Sequence, residues 1–237
     1  MIPQTKDNYL GIEIEFVADM TMAAANEMLI AAGLDDCCVL DTDGSVMWDE
    51  EDGGVPPSLM DTHNYWDGFE LKLLCKESEL FKLLPKLRKF FDDTKAKVNK
   101  SCGLHVHLDM RQRNLKLMYA RLAAAQGEMM AIIAHHRRDN DNCEFATINN
   151  DQYEKFMTEI DDEGEDANGG IDYRYAVNIL AYAKHNTIEI RAHEGTVNTM
   201  EIYNWCMYLL TILGSKRRTA GIKHYVEQRI SKNRKPI

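Results

Sequence analysis

Hydrophobic and polar positions along the chain follow two periods that trade places from segment to segment. From Tyr9 to Val17 apolar residues recur at every second position, the spacing of a strand with one buried face. Thr21 to Gly33 changes to helical spacing and stops at a glycine. Cys37 to Leu40 is a short second strand that runs into Asp41-Thr42-Asp43-Gly44-Ser45, a stretch with turn chemistry. A loop follows, with the acidic run Asp49 to Asp52, Gly53-Gly54 and Pro56-Pro57. Trp66 to Leu74 alternates again, and Lys76 to Lys97 is helical in spacing, with Pro85 expected to kink or break it. Leu104 to Met110 reads as a strand and Leu115 to Arg138 as one long helix. After a helix over Gln152 to Ile160 and an acidic loop at Asp161 to Asp166, Arg174 to Tyr182 and Thr187 to His193 read as two strands. A hairpin turn at Ala183 to Asn186 would join them. Met200 to Leu213 and Ile222 to Ser231 are the last helices. Strands separated by helices, with no fixed repeat and no Pro- or Ser-rich linker, predict one α+β domain over residues 1–215. Residues 216–237 form a basic C-terminal helix or tail.

The face on which each strand is polar carries the chemistry. In Gly11-Ile12-Glu13-Ile14-Glu15-Phe16 the period of two puts Glu13 and Glu15 together, away from Ile12, Ile14 and Phe16. His105, His107 and Asp109 share a face in Gly103 to Asp109, as do Glu70 and Lys72 in Gly68 to Leu73. Glu189, Arg191 and His193 do so in Thr187 to His193. A half-solvated antiparallel sheet also alternates, but its wet face normally mixes Thr, Ser, Lys and Gln. These four strands offer mainly Glu and His with one Arg, groups that bind metals or phosphates. Carboxylates two positions apart on a strand lie roughly 7 Å from each other, a spacing suited to neighbouring ions rather than to one. Mg²⁺ or Mn²⁺, commonly completed by substrate phosphates, fits such donors, and Arg191 supplies a planar fork for a phosphoryl oxygen. Zinc is the weaker expectation, since no third nearby His and no H-E-x-x-H motif occurs. His135-His136-Arg137-Arg138 reads as a solvated helix end favoured by the helix dipole. The chain lacks the glycine-rich phosphate loops, so a nucleotide would be held by metals and cations on the sheet.

Composition narrows the setting. The 237 residues carry 28 Lys+Arg against 38 Asp+Glu, a formal charge of −10, and 45% are hydrophobic, which excludes global disorder. No apolar run approaches the roughly 18 residues of a membrane span. Met1 to Asn8 lacks the basic-then-apolar order of a secretion signal, so a cytoplasmic location is expected. An acidic chain is a poor general coat for nucleic acid, although a phosphate ligand stays open. The six cysteines show no C-x-x-C pair and read as buried thiols in a reducing compartment. The two acidic loops hold nine of the 38 acids, so the net charge mostly describes solvated loops rather than the strand faces. Lys216 to Lys235, with eight Lys/Arg and only Glu227 as an acid, reads as a solvated terminal segment.

The order of motifs resembles a known family. Gly11-Ile-Glu-Ile-Glu-Phe16, Asp43-Gly-Ser45, Gly68-Phe-Glu-Leu71, Cys102-Gly-Leu-His-Val-His107, Arg174-Tyr-Ala-Val-Asn178 and Thr187-Ile-Glu-Ile-Arg191 with His193-Glu-Gly-Thr196 are together similar to the amidoligases. These are relatives of glutamine synthetase and glutamate–cysteine ligase, many of them phage-encoded. The resemblance spans Gly11 to about Trp205. It implies a glutamine synthetase-like antiparallel sheet, curved into a saddle, with helices packed on one face and ATP with Mg²⁺ or Mn²⁺ in front. It further implies Glu13, Glu15, Glu70, His105 and Glu189 as metal ligands, with His107 nearer the ATP phosphates and Arg174 and Asn178 lining the phosphate or substrate region. Glu189 and Arg191 would act at the transferred phosphoryl group. Lys72-Leu73-Leu74 departs from the small polar residue and Pro that relatives often carry after the Glu70 position.

The expected activity is an ATP-dependent carboxylate–amine ligase working through an acyl phosphate, with Asp43 a candidate general base beside Ser45. Its substrates would be small-molecule or peptide carboxylates and amines, with a modified base also open, in the host cytoplasm if the chain is phage-encoded. A metal-dependent phosphoesterase or nuclease, and a non-catalytic protein retaining the fold, are the alternatives.

Overall fold

The computed structural model describes residues 8–46, 68–138, 153–154, 156–158 and 174–233. The acidic runs Asp49 to Asp52 and Asp161 to Asp166, Cys143, and Gln152, Lys155, Glu159 and Ile160 of the expected Gln152 to Ile160 helix lie outside the described residues, and the five described residues of that stretch are helical. In chain order the elements are β1 (Tyr9–Phe16), α1 (Met22–Ala31), β2 (Cys38–Asp43), β3 (Gly68–Lys76), α2 (Glu77–Thr94) and β4 (Gly103–Asp109). There follow α3 (Leu115–Ala124), α4 (Gln126–Ile132), α5 (His135–Arg138), β5 (Val177–Asn178), α6 (Ala181–His185), β6 (Thr187–Glu194), α7 (Thr199–Ile212) and α8 (Ala220–Lys232).

The strands form one sheet in the order β2-β3-β1-β4-β6-β5, antiparallel in the pairings of β1 with β3, β2 with β3 and β5 with β6. The expectation of α+β architecture holds. The expected saddle-curved sheet does not, because the sheet is open and ends in two separate edge strands, β2 and β5. Local register supplies the physical reason. Tyr9 to Phe16 pair one-to-one with Lys76 to Phe69, and Cys38 to Asp43 with Leu73 to Gly68, without the bulge that bends a strand.

The chain divides into two compact units. One contains residues 7–104 and 194–205. Leu10, Ile12, Ile14 and Phe16 on β1 are fully buried there, as alternation requires. The Phe16 ring stacks on Phe69 at 5.3 Å and meets Phe90 and Phe91 edge-on at 5.9 and 5.8 Å. Aromatic pairs of this geometry each add about 0.5–1.5 kcal/mol beyond area burial. Thr21 Oγ1 caps α1 by accepting from the Ala24 N–H at 3.3 Å. Pro85 does not break its helix, which runs from Glu77 to Thr94. Leu80, Leu84, Leu87, Phe90 and Phe91 are all buried along it, and that burial outweighs the roughly 3 kcal/mol cost of an interior proline. At Gly68 the backbone N–H donates to the Val46 carbonyl at 2.6 Å, and a Cβ there would lie 2.2 Å from Val46 Cγ1, so only glycine fits.

The other unit contains residues 105–193 and 206–237. The long helix expected over Leu115 to Arg138 is three pieces. Ala125 ends the first with its N–H shared among the carbonyls of Ala123, Arg121 and Leu122, and Ile133 turns extended at φ −78°, ψ 160°. The expected hairpin at Ala183 to Asn186 is a helical turn, α6, closed by Asn186 at φ 54°. The basic C-terminal segment, expected to be solvated, is a packed helix over Ala220–Lys232. Ile222, Tyr225, Val226 and Arg229 are buried, and Arg229 Nε donates to the Ile132 carbonyl at 3.1 Å. Cys37, Cys38, Cys75, Cys102 and Cys206 are thiols, the last four buried. Among the described residues no helix is long and apolar enough to cross a membrane.

Candidate functional site

In the first unit β3 runs between β1 and β2, and register decides which side chains meet. Glu70 pairs with Glu15 on one side and Asp41 on the other, and Lys72 pairs with Glu13. Directly paired residues project to the same side of a sheet, so Glu13, Glu15, Asp41, Asp43, Glu70 and Lys72 share one face. One oxygen each of Glu15, Asp43 and Glu70 lie within 4.8 Å of one another. Octahedral Mg²⁺ holds its donors at 2.0–2.1 Å, which sets opposite donors about 4.2 Å apart. The trio's donor chemistry and spacing thus suit a hard divalent cation.

Each of the three is held from its other side. Asp43 Oδ1 accepts from both the Ser45 N–H and the Ser45 hydroxyl at 2.7 Å, closing the turn after β2. Glu15 accepts from the Gly103 N–H at the start of β4. Glu70 Oε2 receives the Lys72 ammonium at 2.8 Å, and Lys72 also reaches Asp41 Oδ2 at 3.3 Å. Burial pushes the Glu70 carboxyl above the usual carboxylate range. The Lys72 hydrogen bond opposes this, while the charges of Glu13 and Asp43 add to it. The Lys72 ammonium is held upward, first by its bond to Glu70.

The second unit gathers its groups around Glu189. This carboxylate is 5% exposed and accepts at both oxygens, from Arg191 Nη1 at 2.7 Å on Oε1 and from Asn178 Nδ2 at 2.8 Å on Oε2. Asn178 is the register partner of Glu189 across β5 and β6, and its own carbonyl oxygen accepts from the Leu180 N–H at 3.0 Å. His105 Nδ1 lies 3.5 Å from Glu189 Oε1. His105 Nε2 lies 3.3 Å from Arg137 Nη2, which also donates to the Arg191 carbonyl at 3.1 Å. A guanidinium has only donors, so Nε2 accepts and the ring proton sits on Nδ1, facing Glu189. His107 Nδ1 is 3.0 Å from Thr187 Oγ1, and its ring meets His185 edge-on at 5.9 Å. Arg174 lies half-buried in the turn before β5.

The structure thus brings Glu15, Asp43 and Glu70 together in one unit, and His105, Asn178, Glu189 and Arg191 in the other. Asp109, the third polar residue of the β4 face, is taken up by Arg111, which donates to both carboxylate oxygens at 2.9 and 2.8 Å. His193 is fully buried with Nε2 3.4 Å from the Tyr225 hydroxyl. Two participants escape a reading of local pattern. Asp41 falls in a stretch read as a turn, although β2 continues through it, and its alternation with Leu40 and Thr42 was the available signal. Arg137, in the His135 to Arg138 stretch read as solvated, is 2% exposed and braces both His105 and β6. No local signal marks it.

The face on which Glu15, Asp43 and Glu70 converge is a candidate site for a divalent cation. The chain belongs to the family described as "Putative amidoligase enzyme", whose model matches residues 73–213, more than half of its length. The matched segment includes His105, His107, Arg174, Asn178, Glu189 and Arg191, while Glu13, Glu15, Asp43 and Glu70 precede it. No curated protein matches the chain.

Proposed function

We propose that the protein is an ATP-dependent carboxylate–amine ligase working with Mg²⁺ or Mn²⁺. Family membership supports the reaction class, and the observation that carries the phosphate assignment is Glu189 held between Arg191 and Asn178. In the first step an oxygen of the substrate carboxylate attacks the γ-phosphorus of ATP, the bond to the β-phosphate oxygen breaks, and ADP leaves. In the second an amine attacks the acyl carbon, inorganic phosphate departs with its oxygen, and the amine loses a proton.

A bound divalent ion supplies charge neutralisation at the phosphates. Glu15, Asp43 and Glu70, with Glu13 on the same face, provide hard oxygen donors, and Glu189 provides a further carboxylate. His105, whose ring nitrogens face Arg137 and Glu189, would exchange one of these partners for an ion. Arg191, fixed by Glu189, would stabilise charge building on the transferred group. His107, Arg174 and Asn178 would face the phosphates of ATP.

The test is phosphate release by purified protein with ATP, Mg²⁺ and a panel of amino acids, peptides and polyamines. Release only when both a carboxylate and an amine are present is expected. Absence of ATP binding by calorimetry with Mg²⁺ present would overturn the reading. Cleavage of a phosphodiester without ATP would replace it with the nuclease alternative.

A further inference from the structure

We infer that Lys72 is a tethered cation that competes with the divalent ion for Glu70, so that this side chain sets how tightly the acidic cluster holds metal. The inference rests on the metal reading above and concerns a residue which that reading leaves without a role.

Five carboxylates, Glu13, Glu15, Asp41, Asp43 and Glu70, share the face built by β1, β2 and β3. These strands carry two lysines and no arginine. Lys76 lies at the far end of β3, its ammonium 5.9 Å from the centre of the Tyr9 ring. Lys72 is the cation among the acids, with Nζ 2.8 Å from Glu70 Oε2 and 3.3 Å from Asp41 Oδ2, in register with Glu13. It reaches Glu70 along its own strand, two positions back, which requires its stem to lean over the sheet face.

The chemistry then conflicts with full coordination. The ammonium already occupies lone-pair density on Glu70 Oε2, one of the three side chains whose oxygens meet within 4.8 Å. A divalent ion at that trio would face a positive charge hydrogen-bonded to one of its own ligands, in a setting where Glu70 is largely withdrawn from water. Exposure differs between the partners: the Lys72 side chain is 42% exposed and the Glu70 side chain 11%. The lysine stem can therefore swing toward solvent while Glu70 stays in place. Metal entry is an exchange in which Lys72 leaves Glu70 and remains paired with Asp41 or water. An arginine at this position would keep the competing charge, and an uncharged side chain would remove it.

Mn²⁺ binding by the full chain, followed by electron paramagnetic resonance of free Mn²⁺ and by calorimetry without nucleotide, reads this directly. Lys72→Met and Lys72→Gln are expected to tighten binding at least about tenfold, equivalent to ~1.4 kcal/mol. Lys72→Arg should stay at the wild-type value. Adding Glu70→Gln to Lys72→Met should cancel the gain, which assigns it to this cluster. Circular dichroism checks that each variant is folded, and Lys72→Gln substitutes for Lys72→Met if the latter is not. Equal affinities in wild type and the uncharged variants, or weaker binding in them, overturn the inference while leaving the ligase reading intact. Absence of Mn²⁺ binding in wild type and in every uncharged variant removes the metal reading itself.

Discussion

Glu70 and Glu189 begin from the same local design and end in opposite environments. Each is a buried carboxylate on a strand, with a basic residue two positions on that bonds back to it, Lys72 at 2.8 Å and Arg191 at 2.7 Å. The cross-strand partner separates them. Opposite Glu70 stand two more acids, Glu15 and Asp41, whereas opposite Glu189 stands Asn178, a neutral donor that takes its second oxygen. One carboxylate is therefore left in an excess of negative charge that calls for a cation. The other already carries a donor on each oxygen and holds an arginine, so an ion reaching it would share or displace one of those donors. A strand motif of Glu, any residue, then a base carries no fixed role, and register with the adjoining strand supplies it.

Three tests bear on the contrast, beginning with the largest effect. Glu189→Gln keeps the shape but weakens the grip on Arg191, and ligase turnover should fall at least about a hundredfold, the scale of losing one preorganised charge-stabilising group. Circular dichroism should remain that of the wild type. Full turnover in this variant would show that the Glu189 cluster is structural and dissolve the distinction drawn above.

Arg137→Met probes the same cluster through stability. It leaves the Arg191 carbonyl and His105 Nε2 without their donor, and urea denaturation should show a loss of about 2 kcal/mol. His136→Ala, at an exposed neighbouring position, should stay within about 0.5 kcal/mol of wild type. Equal, small effects at both positions would return the whole segment to the solvated helix end that its sequence suggests.

The smallest effect belongs to Glu70 and is read from pH. Its carboxyl is raised in the folded protein, chiefly by burial, so the folded state binds its proton more tightly than the unfolded chain does. The stability this contributes is complete below the ordinary carboxylate pKa and is lost as pH rises through the raised value. In EDTA-treated protein, the difference in Tm between wild type and Glu70→Gln should therefore change across that window, with wild type losing ground as pH rises. A constant difference would remove the electrostatic strain assigned to the acidic face.

How far these features could be read in advance depends on how local their causes are. Period two along β1, β3, β4 and β6 set Glu13 with Glu15, Glu70 with Lys72, His105 with His107 and Glu189 with Arg191. That inference needs only strand geometry. The placement of Asp41 beside Lys72 was hidden because Asp-Thr-Asp-Gly-Ser has turn chemistry, and pairing with β3 carries β2 through it to Asp43. Arg137 was hidden for a different reason. Its contacts are 32 and 54 residues away in the chain, and no spacing within one helical turn announces them. At Pro85 the local rule for ending helices yields to five buried apolar side chains along α2, which keep the helix continuous. The saddle was an inference from kinship rather than from residues, and the unbroken pairing along β3 does not provide the bend it requires.

The bond between the Gly68 N–H and the Val46 carbonyl means that the two ends of segment 47–67 are stapled to each other at its base. The bond adds a rung beyond the last register pair of β2 and β3, Asp43 with Gly68, and Val46 is itself tied to the Asp43 carbonyl, so the end of the acidic face is latched against fraying.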